Sequence, residues 1–336
     1  MYDYDTFRSA IKAFEAELSK INTSKRSFPG YEVYKEINFV EPEPVVDFEL
    51  AFCDGGNYPI FMSNYFVFQM NRVFASAWKG RKRIKYISVD FLTLTRWTAE
   101  GFSSSVYPLK SNLQAPSFDF LPREADTVVQ YRELRGLDAL KAASQLPRRI
   151  AEKKVAKALI SDYTLVLDGL LQPECQAEWD AISEIRSLSK AGGHLVAGFA
   201  KTAALMDPGV FPLGMLDREG EWYVRLARVT SRDSDLYAAK LHRVALTPYF
   251  VELVAGDERS ISDFFNALFS DSLDPHLPGY PHGLIDADRS ARVGTREIER
   301  LRSEVLRVMQ PELAKAVLRG ERTLTTHDLL NALNSI

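Results

Sequence analysis

Cysteine is scarce in this chain: among 336 residues only Cys53 and Cys175 carry a thiol. Two thiols supply neither a disulfide framework nor a zinc cluster. Long hydrophobic runs are missing too, since none approaches the ~18 residues needed to span a bilayer. Asp3, Asp5 and Glu15 interrupt the start, so a signal peptide is not expected and a cytoplasmic protein is. Charge of one sign is also lacking. With 42 Lys and Arg against 45 Asp and Glu, the net charge is −3, so any surface for nucleic acid must be local. The five histidines (His194, His242, His276, His282 and His327) form no HExxH and no ligand-like group, and there is no GxSxG elbow. Gly193 and Gly198 have the spacing of a phosphate-binding loop, but Phe199 stands where lysine must follow. These absences argue against zinc enzymes, serine hydrolases and intrinsic NTPases.

What the chain does have is two apolar runs that each end in Asp-Gly. The first is Phe48 to Asp54, followed by Gly55-Gly56; the second is Thr164 to Asp168, followed by Gly169. An apolar run of about five residues bounded by a turn reads as a buried strand. An aspartate at its end lifts a carboxylate to the rim of the sheet, where ligands bind in open α/β folds. Asp-Gly is also ordinary turn chemistry. Two such rims side by side would hold hard cations between acidic oxygens, as phosphodiester-cleaving sites do.

Around these runs the pattern predicts α/β with a mixed sheet. Phe7, Ile11, Phe14, Leu18 and Ile21 recur at helical spacing over residues 4–21, a candidate partner surface. A polar, proline-containing connection covers 22–47. Asn64–Trp78 and Arg83–Thr95 read as a long hairpin about the basic turn Lys79–Lys82, and 98–122 as a loop. A helical stretch over 125–160 is expected to break near Pro147, and Cys175–Lys190 to form a helix. Strands are expected at His194–Ala200, Trp222–Val229 and Arg243–Val254, with mostly helix after that. In domain terms, residues 1–47 form a leading helix and connection, 48–310 the main domain, and 311–336 a C-terminal helical segment.

Glu152 lies sixteen residues before Asp168, on the helix feeding that strand, where its carboxylate could lean over the strand ends. Clustered carboxylates repel, and a divalent cation relieves that cost. Glu133 is its rival, and a solvated glutamate beside Lys153 and Lys154 the plainer alternative. Pro278–Asp288 opens a helix expected to carry Arg289, Arg292, Arg296 and Arg300 on one basic face, suited to phosphate or to pairing with Glu297 and Glu299.

Asp54-Gly55-Gly56, Glu152 ahead of Leu165–Gly169, Gly198–Thr202, and Tyr280-Pro281 leading to Leu284, Ala287 and Asp288 together resemble the NurA family of nucleases, over residues 48–292. The resemblance implies an RNase H-like mixed sheet flanked by helices, with helical additions at both termini. It also implies DNA cleavage, exonucleolytic and endonucleolytic, by two manganese or magnesium ions per site, in a homodimer docked on a hexameric HerA-type ATPase translocase during double-strand break repair. By position, Asp54, Glu152 and Asp168 would be metal ligands. Tyr280 would position the substrate or the attacking water, and Lys201 would counter charge on the phosphate. The family often has histidine where this chain has Asp288, leaving Asp288 or His282 for that position. Arg292 and Arg296 would contact DNA. A non-catalytic DNA-end adaptor and an RNase H-like enzyme acting on RNA are the competing functions.

Overall fold

The computed structural model describes residues 8–9, 11–16, 30–99, 101–112, 117–129, 137–200, 216, 218–254 and 256–321. Its frame is a ten-stranded mixed sheet. In chain order the strands are β1 (Tyr31–Val33), β2 (Glu49–Met62), β3 (Phe66–Lys79), β4 (Lys82–Thr98), β5 (Gly101–Ser111), β6 (Thr164–Asp168), β7 (Val196–Ala200), β8 (Trp222–Val229), β9 (Ser234–Lys240) and β10 (Tyr249–Val254). Across the sheet they lie β1-β8-β9-β10-β7-β6-β2-β3-β4-β5. Only the central trio β2, β6 and β7 is parallel; every other pairing is antiparallel.

Helices cover both faces, so the core is two-layered. On one face α1 (Leu137–Lys157) and α2 (Gln176–Gly192) lie over Ala51, Cys53, Leu165 and Leu167. On the other, α3 (Glu258–Asp271) and α4 (His282–Ala291) cover Leu50, Phe52 and Val166. The alternation of a pleated strand makes this division, sending successive side chains to opposite faces. Helix α5 (Thr295–Val308) packs Ile298 against Ile60, Phe61 and Met70 at the far end of the β2–β3 hairpin.

Several expectations hold. The β3–β4 hairpin turns at the predicted place, β8 has the predicted limits, and α2 follows β6. Others need correction. β2 does not end at Asp54, because Gly55 and Gly56 keep pairing with Val73 and Arg72 of β3. The segment 98–122 holds β5, whose Pro108 hid it; β5 is the edge strand beside β4, and an edge strand tolerates proline beside a register shift. Helix α1 runs through Pro147 unbroken. A proline removes one helical donor and loosens that turn, and there the buried Gln69 side chain donates to the Ser144 carbonyl at 2.6 Å. Residues 243–248 form a loop, so β10 starts only at Tyr249, just after Pro248, and β9 lies before that loop. The arginine-bearing helix is two helices: Arg292 is extended, Gly294 caps α5, and the four arginines share no continuous face.

Residues 8–9 and 11–16 are helical, with Ile11 and Phe14 exposed, while Phe7, Leu18 and Ile21 lie outside the described residues. β1, within the predicted connection, joins the sheet edge beside β8.

Candidate active site

The site starts from the register of the two parallel strands. Cys53 of β2 pairs with Leu167 of β6, so Asp54 and Asp168 follow as neighbours on adjacent strands. Phe52 and Val166, two residues back on each strand, belong to the α3/α4 face. Period-two alternation therefore sends both aspartates to that face, across a strand spacing of about 4.8 Å. Asp54 is 7% exposed and accepts the Gly55 N–H at 2.7 Å. The turn after β6 is pinned as well. Gly169 donates its N–H to the Phe199 carbonyl at 2.8 Å, and Leu171 donates to buried Glu252 at 3.1 Å.

Tyr280 joins them from the loop before α4. The left-handed backbone of Gly279 (φ +84) turns the chain there, and the Tyr280 hydroxyl donates to Asp168 Oδ1 at 3.4 Å. Its ring meets Phe199 edge-on at 5.5 Å. Burial, then the negative charges of Asp168, Asp54 and Asp288, raise the Tyr280 phenol far above its ordinary pKa. It is therefore a proton donor throughout the physiological range. The same three aspartates are thus the acids that surround Tyr280. Asp288, six residues into α4, also accepts from Arg292 at 2.8 Å.

Glycine explains how helices reach this point from both sides. A Cβ on Gly55 would lie 2.3 Å from Glu152 Oε1, and one on Gly56 would lie 2.3 Å from the Ala291 carbonyl oxygen. Gly55 thus admits α1 on one face and Gly56 admits the end of α4 on the other. Glycine within a strand often marks such close approach.

Glu152 accordingly sits over Gly55 on the α1 face, opposite the side to which Asp54 and Asp168 point. It is ion-paired with Arg148 and lies 3.4 Å from Lys153 Nζ. Burial opposes its charge, yet Arg148, Lys153 and Arg149 together hold the carboxyl below its usual range. Arg148 also donates to the Gly55 carbonyl at 2.8 Å. The sequence reading missed Arg148, although its position four residues before Glu152 on a helix is the spacing of a side-chain pair.

Asp54 and Asp168, with Asp288 opposite, offer the hard oxygen donors that magnesium or manganese takes. Among the described residues, however, no three Asp, Glu, His or Cys side chains are gathered closely enough to hold an ion as they stand. Glu152 does not complete such a set from its ion pair. His282 opens α4, its ring edge-on to Trp78 at 4.9 Å and its buried Nδ1 without a hydrogen-bond partner. Arg292 and Arg296 flank the break between α4 and α5. Lys201 and Glu133 lie outside the described residues.

No protein-family model matches the chain, and no curated protein matches it in sequence. Among solved structures it is similar to the NurA nuclease from Sulfolobus solfataricus. The TM-score is 0.47 at 13% identity, covering 92% of this chain and 99% of that one. It is also similar to an Argonaute from Aquifex aeolicus, with a TM-score of 0.25 at 12% identity, covering 74% of this chain and 28% of that one. A second Aquifex aeolicus Argonaute structure gives 0.30 at 11% identity, covering 75% and 29%. These likenesses are too distant in sequence and too loose in overlay to assign an activity.

Proposed function

We propose that this protein is a divalent-metal-dependent nuclease that hydrolyses phosphodiester bonds of DNA. The observation that carries the reading is that Asp54 and Asp168 directly follow the paired Cys53 and Leu167 on adjacent parallel strands, with the Tyr280 hydroxyl donating to Asp168 at 3.4 Å. Asp54 and Asp168 would hold the cation, manganese or magnesium, with Asp288 as the third acid whose charge bears on Tyr280. When bound, the cation supplies positive charge that stabilises the phosphate as negative charge builds on it. Tyr280, kept protonated, fixes the orientation of the Asp168 carboxylate, and the Gly55 N–H does the same for Asp54. Glu152, paired with Arg148 on the other face of the sheet, stays outside this set.

The resemblance to the NurA family further implies an RNase H-like core, exonuclease and endonuclease action at double-strand ends, a homodimer, and a HerA-type translocase as partner. Among the described residues no helix is long and apolar enough to cross a membrane. The neutralisation of Glu152 by Arg148 favours one second reading, a DNA-end adaptor whose carboxylates serve structure alone.

Incubation with 5′- and 3′-labelled duplex and single-stranded DNA, with manganese and then with EDTA, separates the two. Cleavage that EDTA abolishes is expected. Asp54→Ala and Asp168→Ala should each lower it by at least a hundredfold with the circular dichroism unchanged. Near-normal cutting by either variant would refute the site, and no divalent-dependent cutting at all would favour the adaptor.

A further inference from the structure

A cleft of about 610 Å³ is lined by Tyr280, whose hydroxyl reaches Asp168, and by Asp288. Its walls are apolar: Val244 and Leu246 from the loop before β10, Tyr249 of β10, Leu277, and Ile285 of α4. Tyr280 and Asp288 form its boundary with the acidic site. Asp288 is the one charged group among the described residues that line it; no lysine or arginine does. Such a lining does not suit a phosphate. It suits an uncharged group with a broad apolar face, and the volume falls in the range of small-molecule pockets.

The rim is unusually wet for such side chains. Leu246 is 99% exposed and Val244 59% exposed, on a loop that leaves them uncovered. A contiguous exposed apolar patch, rimmed by polar residues, marks an interaction site or ligand groove. Tyr280 links the two regions, because its hydroxyl reaches Asp168 while the residue also lines the cleft. An occupant of the cleft is therefore held next to whatever group the aspartates engage.

In a polynucleotide, the flat apolar group tied through one sugar to a phosphate is the base. We propose that this cleft receives the nucleobase adjoining the phosphate engaged by Asp54 and Asp168, so that the substrate is an unpaired nucleotide. The proposal rests on the nuclease reading above. A base within a duplex has both faces stacked and cannot enter unless it is unstacked first. Tyr249, half-buried in the wall with its ring 5.8 Å from that of buried Tyr280, supplies the aromatic contact, and base–aromatic contact is tolerant of sequence because every base has a π-face. The protein therefore selects for strand separation and against no particular base.

The test uses the full chain with manganese and two single-stranded oligonucleotide sets. One set ends in an ordinary nucleotide and the other in an abasic tetrahydrofuran, at either terminus. A third probe, carrying terminal 2-aminopurine, is titrated in EDTA and read by fluorescence. We expect KM to be about tenfold higher for the abasic ends, the size of one lost stacking contact, with kcat little changed. The 2-aminopurine should be quenched on binding. The triple variant Val244→Ser, Leu246→Ser, Leu277→Ser should bring the KM ratio towards one and abolish the quench. Its melting temperature should be close to wild type, because these side chains are at the surface. Equal KM values with an unquenched probe overturn the cleft assignment and leave the nuclease reading standing. Absence of cleavage on every substrate overturns the nuclease reading instead. In that event quenching that the triple variant removes still upholds the cleft, and its absence overturns it.

Discussion

Two consecutive glycines in one strand do different work. Gly55 faces the flexible end of Glu152, which can swing aside when a methyl group arrives. Gly56 faces backbone, the Ala291 carbonyl, which cannot move without shifting α4. Overpacking of this kind costs about 1–3 kcal/mol. Gly56→Ala is therefore expected near the top of that range and Gly55→Ala near the bottom, measured by urea denaturation at neutral pH. If Gly55→Ala proved the more damaging, the account of α4 seating on Gly56 would be wrong. Because α4 carries Asp288 and follows Tyr280 directly, Gly56→Ala should also lower nuclease activity more than Gly55→Ala does.

At the scale of the element, the join between α3 and α4 carries a buried acid. Asp271 closes α3 at 2% exposure, and its Oδ2 accepts the Gly283 N–H in the first turn of α4 at 2.9 Å. Its Oδ1 is buried with no hydrogen-bond partner. Burial raises its pKa from 3.8 to about 6, against the opposing pull of the Gly283 amide and of His282 and Arg81. A raised pKa means that the folded chain binds this proton more tightly than the unfolded chain does. The stabilisation is complete below the unfolded value near 4 and is lost as pH rises through about 6. Its size is on the order of 3 kcal/mol. Asp271→Asn keeps the acceptor for Gly283 and cannot ionise. The variant should therefore gain stability relative to wild type between pH 4 and 7 and match it below pH 4. Denaturant midpoints across that interval check this; parallel pH curves would show that Asp271 is not the group responsible.

For the whole molecule, the question is what joins the β8–β9–β10 half of the sheet to the strands bearing the aspartates. Besides the β10–β7 ladder, the fully buried side chain of Glu252 of β10 ties the two together. It accepts from Arg232 at 2.7 Å, from Ser234 at 2.6 Å, and from the Leu171 amide in the turn after Asp168. Removing one partner of a buried ion pair strands the other, at about 3–5 kcal/mol. Glu252→Ala should lose that much in chemical denaturation. At temperatures where it remains folded it should also lose activity, because the turn behind Asp168 loses its anchor. Full activity in the folded variant would separate that turn from the site. Assembly belongs to this scale too. Ile11 and Phe14 are exposed on the leading helical residues, an apolar surface suited to a second copy of the chain. Light scattering should report a dimer for the full chain and a monomer once residues 1–22 are removed; a full-length monomer at micromolar concentration would contradict the homodimer.

The local pattern of the chain determined a good deal by itself. Apolar runs ending in Asp54 and Asp168 marked two central strands, because a buried parallel strand must be apolar on both faces. Tyr- and Val-rich alternation about a glycine turn marked the β3–β4 hairpin. Tertiary structure alone decided what these elements do together. The register of β2 against β6 brings Asp54 beside Asp168, and sequence separation carries no information about register. Neighbouring backbone decides why Gly55 and Gly56 are glycine, and there a turn reading gave way to a continuing strand held by β3. The face on which a side chain stands separates Glu152 from the two aspartates and pairs it with Arg148, whereas spacing along the chain had grouped all three acids. The cleft beside Tyr280 is built from a loop and a helix that are remote in sequence, so no local pattern could have announced it.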